Sequence, residues 1–129
     1  MSTLIEQCVV FAASPHAVYE ALMSSEKHAA FTQNPAQISR DIGGEFVAYA
    51  GYISGKNLEL QPDRKIVQSW RAMDWPEDYF SIVTFLLTEQ SGGTRLDFRH
   101  VEVPEGTEEE FGQGWIDNYW EPLQQFLKG

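Results

Sequence analysis

The apolar positions of this chain change period three times. From Leu4 to Phe11 β-branched and apolar residues dominate, which predicts a first strand. It stops at Ser14-Pro15, where Ser14 suits a helix N-cap and Pro15 the first helical position. Val18 and Leu22, four apart, then give a short helix one apolar face. Ser24-Ser25-Glu26 starts a second short helix that runs to about Phe31 and is closed by Asn34-Pro35. Between Ile38 and Val103 the period becomes two, and strands are predicted over 38–40, 46–49, 52–60, 66–73, 80–88 and 94–101. The separators, among them Gln61-Pro62-Asp63 and Ser91-Gly92-Gly93, are too short for parallel crossovers, so the strands are expected to be antiparallel neighbours.

Helical spacing returns at the end. Thr107-Glu108-Glu109-Glu110 matches a capping box, with the Thr107 hydroxyl and the Glu110 carboxylate each expected to hold a free N–H. Phe111, Trp115, Tyr119, Leu123 and Phe126 fall on one side of a helix reaching about Lys128, and Trp120 and Leu127 widen the stripe. Pro122 predicts a bend inside this helix, because the apolar period continues beyond it. The order of elements is α+β: a seven-stranded curved antiparallel sheet, two short helices after the first strand, and a long C-terminal helix.

Alternation also assigns faces. Arg95, Asp97 and Arg99 must meet water, which turns Leu96, Phe98 and His100 inward; Ile66, Gln68 and Trp70 share a face, as do Ser81, Val83, Phe85 and Leu87. One helix is about 10 Å wide, narrower than a sheet of this size, so the space beneath it takes either large side chains or a ligand. Aromatic residues make up 13% of the chain, enough to fill that space or to line it. In the segment 52–60, Asn57 and Glu59 point into the cavity if the register is regular; a bulge at Gly55 would turn them to solvent.

Length and charge narrow the classes. A chain of 129 residues corresponds to one domain, residues 1–129. The formal charge of −10 is uneven: residues 1–73 hold seven acidic and six basic residues, residues 74–129 twelve and three. Such a C-terminal half repels phosphate backbones and anionic membranes, so no nucleic acid partner is expected. No apolar run approaches the roughly 20 residues of a membrane span, and the start MSTLIEQ lacks the regions of a signal peptide. The expectation is a cytoplasmic protein without membrane insertion. Cys8, the lone cysteine, reads as a small apolar strand residue. His16, His28 and His100 show no metal-ligand spacing, and neither metal nor cofactor is expected.

The segments Gly43-Gly44-Glu45-Phe46, Tyr52-Ile53-Ser54-Gly55, Pro62 and Ile66-Val67-Gln68-Ser69-Trp70-Arg71 resemble the activator of heat-shock protein 90 ATPase homologue family. Trp75-Pro76-Glu77, Gly93-Thr94-Arg95-Leu96, Val103-Pro104 and Gly114-Trp115-Ile116-Asp117-Asn118-Tyr119-Trp120 continue the resemblance in order. It implies the START-like (SRPBCC) superfamily and its helix-grip fold, in which an antiparallel sheet wraps a long C-terminal helix. It also implies an apolar or amphipathic small molecule held between sheet and helix, with some relatives acting as cyclases or hydrolases. The co-chaperone that gives the family its name carries a further N-terminal domain for most of its chaperone contact. The match here begins near residue 1, so that domain is expected to be missing.

The candidate ligand-binding residues are Gln68, Trp70, Ser81, Val83, Phe85, Phe98, His100, Trp115 and Tyr119. His100 is a titratable group on an apolar strand face, able to serve a ligand or to be satisfied by a neighbour. Gln68 can orient a polar ligand end or bond the next strand, and Trp115 and Tyr119 can touch a guest or fill space. Three readings stand. The leading one is non-catalytic binding of a small molecule. The second is a chaperone-directed interaction module, and the third an enzyme using His100 with a tyrosine or carboxylate as acid–base pair. Exposed strand edges leave a homodimer open.

Overall fold

Alternating burial runs through the strands as the sequence requires, and it builds one curved sheet around one helix. In this computed structural model residues 4–128 are described; the first three residues and Gly129, part of the expected 1–129 unit, lie outside the described residues. The strands are β1 (Leu4–Phe11), β2 (Gln37–Ile38), β3 (Glu45–Ala48), β4 (Ile53–Gln61), β5 (Lys65–Ala72), β6 (Ser81–Gln90) and β7 (Gly93–Val101). They form a seven-stranded antiparallel sheet in the order β1-β7-β6-β5-β4-β3-β2. First and last strands are neighbours, so α1 (Pro15–Met23) and α2 (Ser25–Thr32) carry the chain from one sheet edge to the other. Ser14 and Ser24 cap these helices, accepting from the Ala17 and Lys27 N–H groups.

The expected faces are the observed ones. Ile66, Gln68 and Trp70 are buried, as are Ser81, Val83, Phe85 and Leu87, and Leu96, Phe98 and His100. Cys8 lies exposed on the outer face of β1. In β4 both open alternatives contribute. Asn57 is fully buried, and the register shift comes after it, between Asn57 and Glu59, rather than at Gly55. Past that shift Glu59 turns outward to Lys65, 3.3 Å away. Asn57 does not face a cavity; its Nδ2 donates to the Ser39 and Asp41 carbonyls at 2.7 and 3.0 Å, tying the diglycine loop to β4.

The C-terminal helix departs from the expected geometry at both its start and its middle. Thr107 has φ −108° and ψ 4°, a backbone that carries its hydroxyl away from the first turn. The hydroxyl donates to the Pro104 carbonyl instead, and Glu108, not Glu110, reaches back to the Gly106 N–H at 2.8 Å. The helix is α3 (Glu108–Trp115), a π turn (Ile116–Trp120) and α4 (Glu121–Lys128). The apolar stripe explains the π turn. Residues 111, 115, 119 and 123 are four apart, and each step of four overshoots an ideal α-helical turn by about 40°. One wider turn returns Tyr119 and Leu123 to the sheet, where both are buried. Pro122 sits just beyond it. Having no N–H, Pro122 leaves the Asn118 carbonyl without its i+4 donor, and the Tyr49 hydroxyl takes that carbonyl.

Gly55 shows how tightly β4 is placed. A Cβ there would lie 1.8 Å from the Ser69 carbonyl oxygen and 2.8 Å from the Phe46 ring. Gly55→Ala is therefore expected to destabilise the fold by at least about 2 kcal/mol, read from urea denaturation against the parent chain.

Candidate functional site

Rings occupy the space between helix and sheet. The Trp115 ring centroid lies 4.4 Å from Phe98, 4.6 Å from Tyr119 and 5.7 Å from Trp70, and Trp115 stacks on Trp120 at 5.6 Å. Phe85 packs on Phe98 at 5.3 Å behind them. Of the two alternatives the sequence left open, filling the space or lining it, these rings fill the centre of the concave face. A void bordered by His28, Gln68, Trp70, Phe85, Trp115 and Tyr119 measures about 20 Å³, room for roughly one water.

Two buried histidines are locked into this packing, and their proton positions follow from their partners. The Trp115 indole N–H can only donate, so it donates to His100 Nδ1 at 3.0 Å. The Ser81 hydroxyl donates to the Trp70 carbonyl at 2.9 Å, which leaves its oxygen to accept from His100 Nε2–H at 2.7 Å. His100 is fully buried, and burial lowers its pKa from 6.5 to about 3. His28 Nδ1–H donates to the Leu22 carbonyl and its Nε2 accepts from the Tyr119 hydroxyl, each at 3.1 Å. Its burial holds it at about 4, against the weaker upward pull of the Leu22 bond. Tyr119 is pushed strongly upward by burial, with a smaller contribution from Tyr49. Gln68 donates to Asn57 Oδ1 at 3.0 Å. Among the described residues no buried side-chain nitrogen or oxygen lacks a partner.

The space that stays open lies at the outer end of the helix–sheet junction. It is a cleft of about 380 Å³. Tyr49, Tyr52, Ile53 and Trp70 form its sheet side, and Glu110, Phe111, Gly114, Trp115, Asn118 and Tyr119 its helix side. Tyr49 reaches it through backbone in the left-handed region, φ 51°, followed by Ala50 at 56° and Gly51 at 96°. Burial pushes the Tyr49 hydroxyl up to about 12. A second, shallower groove of about 570 Å³ lies on the far side of Tyr49, against Phe31, Pro122 and Phe126.

Of the residues singled out from the sequence, Trp70, Trp115 and Tyr119 come together at the cleft, and the same three also border the inner void. Gln68 and Phe85 reach only the void; Ser81, Val83, Phe98 and His100 form the core behind it. The acid–base pairing considered for His100 needed a tyrosine or carboxylate, and its ring nitrogens meet Trp115 and Ser81. Sequence reasoning missed Tyr49, Tyr52, Ile53, Glu110, Gly114 and Asn118 as cleft residues. Phe111 was legible as the first member of the helix stripe, but its place at the cleft was not.

Over residues 12–128 the sequence matches the family described as Activator of Hsp90 ATPase homolog 1-like protein. The chain belongs to this family. It is 35% identical over 115 residues to the human Activator of 90 kDa heat shock protein ATPase homolog 1, covering 89% of this chain and 34% of that protein. The chain thus spans about a third of the length of the curated relatives it matches. Its fold superposes on an HSP90 activator from Plasmodium falciparum with a TM-score of 0.92 at 23% identity, covering 98% of this chain and 96% of that one. The Aha1 dimer from Colwellia psychrerythraea shares the fold at a TM-score of 0.82 and 19% identity, over 96% and 95% of the two chains. The helix-grip architecture read from the sequence is the one observed. Among the described residues no helix is long and apolar enough to cross a membrane.

The buried imidazoles give a pH dependence with a definite sign. Both are neutral when folded, with pKa values held below 6.5, so the unfolded chain binds protons first as pH falls. Their stabilisation is complete above about pH 6.5 and is lost on the way down to about 4 for His28 and about 3 for His100. Each group contributes a slope approaching about 1.4 kcal/mol per pH unit within its window. Urea titrations between pH 6.5 and 5 are expected to show this fall. The fall should be shallower in His28→Gln, and an unchanged slope in that variant would contradict the neutral buried state.

Proposed function

We propose that this Hsp90-activator-like domain is a non-catalytic, cytoplasmic binding domain for a small apolar or amphipathic molecule, held at the outer cleft between sheet and helix. The carrying observation is the cleft itself. At about 380 Å³ it falls within the range of small-ligand sites, about 300–1,000 Å³, and its walls are mostly aromatic. Trp70, Trp115 and Tyr119 are the sequence-predicted residues that would touch the guest. Gln68, Ser81, Val83, Phe85, Phe98 and His100 would hold those rings from behind. The engagement of both His100 nitrogens supports binding over proton transfer, and the chemistry of the cleft asks for no cofactor.

Gly114 provides a clean test. It lies on the cleft wall, and a Cβ there would meet only Asn118 Nδ2, at 3.8 Å. Replacing a helical glycine with leucine removes a helix-weakening residue while filling the cleft. Gly114→Leu is expected to keep or raise the melting temperature and to abolish binding of hits from a thermal-shift screen of lipids and polycyclic aromatics. Hits that bind the variant as well as the parent would overturn the assignment of the site.

A second reading rests on the 35% identity to the human activator. In it the domain contacts a chaperone of the heat-shock protein 90 type through its surface. Mixing the purified proteins is then expected to raise the chaperone ATPase rate. No rise at concentrations well above micromolar would remove this reading.

A further inference from the structure

A cleft walled by rings discriminates by charge as well as by shape. The charged and phenolic groups of this one are electron-rich. Glu110 brings a carboxylate and makes no hydrogen bond or ion pair with the described residues, unlike Glu108, whose carboxylate holds the Gly106 N–H. The Tyr52 hydroxyl donates its proton to Asp74 Oδ1 at 3.2 Å, and the Tyr49 hydroxyl donates its own to the Asn118 carbonyl. Both phenol oxygens therefore turn lone pairs, not protons, toward a guest. Among the described residues no lysine, arginine or histidine lines the cleft. Trp70, Phe111 and Trp115 complete the wall, and any ring face met by a guest presents the negative side of its quadrupole.

The wider field has the same sign. Burial first, and then the charges of Asp74 and Glu110, raise the pKa of Tyr52, so both carboxylates act at the cleft mouth. The N-terminal end of α3 carries a partial positive charge of about half a unit, and Glu108, Glu109 and Glu110 in its first turn outweigh it. Residues 74–129 hold twelve acidic residues against three basic ones.

We infer that the cleft takes an organic cation: an ammonium or amidinium group on an apolar, ring-sized body, with the cation toward Glu110 and the body against Trp70, Phe111 and Trp115. This rests on the small-molecule reading above and names the class of its ligand. An ammonium there gains the carboxylate, two phenol oxygens and the ring faces together. A carboxylate of the same shape meets repulsion from Glu110 and, among the lining side chains, finds donors only in the Asn118 amide and the Trp70 indole N–H.

Three naphthalenes of matched size test it by calorimetric titration: 2-naphthylmethylammonium, 2-naphthylmethanol and 2-naphthoate. The expected order is ammonium, then alcohol, then carboxylate, with the ammonium ahead of the alcohol by roughly tenfold at low salt. That lead is expected to shrink at about 1 M salt, where charges at an open cleft are screened within about 3 Å. Glu110→Gln should bring the ammonium-to-alcohol ratio to about one. Glu109→Gln, which removes the same charge from an exposed position of the same turn, should leave the ratio near the parent value. Equal binding of all three compounds, or a lead that survives in Glu110→Gln, overturns the cation inference and leaves the small-molecule reading standing. Binding of none of the three, with thermal unfolding intact, removes both.

Discussion

The hydrogen bond from the Trp115 indole to His100 is the constraint on which the interior depends. It fixes the rotation of two large rings at once, one on α3 and one on β7. Because Nδ1 is the acceptor, Nε2 must carry the proton, and the chain of bonds runs on through Ser81 to the Trp70 carbonyl. One short polar path thus ties the helix to β5, β6 and β7. Leaving any member of such a path unpaired costs about 1–3 kcal/mol. The rings around it, Phe98, Trp70, Tyr119 and Trp120, then have little freedom in how they pack.

The same placement decides where a guest fits. Trp70, Trp115 and Tyr119 turn one side to the inner void of about 20 Å³ and the other to the cleft of about 380 Å³. They close the centre of the fold and wall its outer end. Likeness to known structures carries the architecture of sheet and helix, but the rings of this particular sequence set the size of the opening.

The strand faces were legible because charge marks one side unambiguously: Arg95, Asp97 and Arg99 leave Leu96, Phe98 and His100 nowhere to go but inward. The family resemblance was carried by motifs spread along the chain in order. The cleft was not legible, since it depends on backbone choices that periodicity does not record. Tyr49 reads as the end of a strand, yet it enters a left-handed turn and swings its ring toward the helix. Glu110 reads as half of a capping box, and the conformation at Thr107 releases it from that role. The π turn had a trace in the sequence, in apolar residues spaced by four where an α-helix repeats every 3.6. Asn57, which alternation left open, was decided by a loop far from it in sequence, whose carbonyls needed a donor.

The contact between Tyr49 and the Asn118 carbonyl joins the C-terminal helix to a turn remote from it in sequence. Pro122 withdraws the local donor, and the replacement comes from a turn 69 positions earlier. Excised from the rest of the chain, this segment would lose the Tyr49 hydroxyl. The seal at Asn118 therefore forms only once the β3–β4 turn has docked.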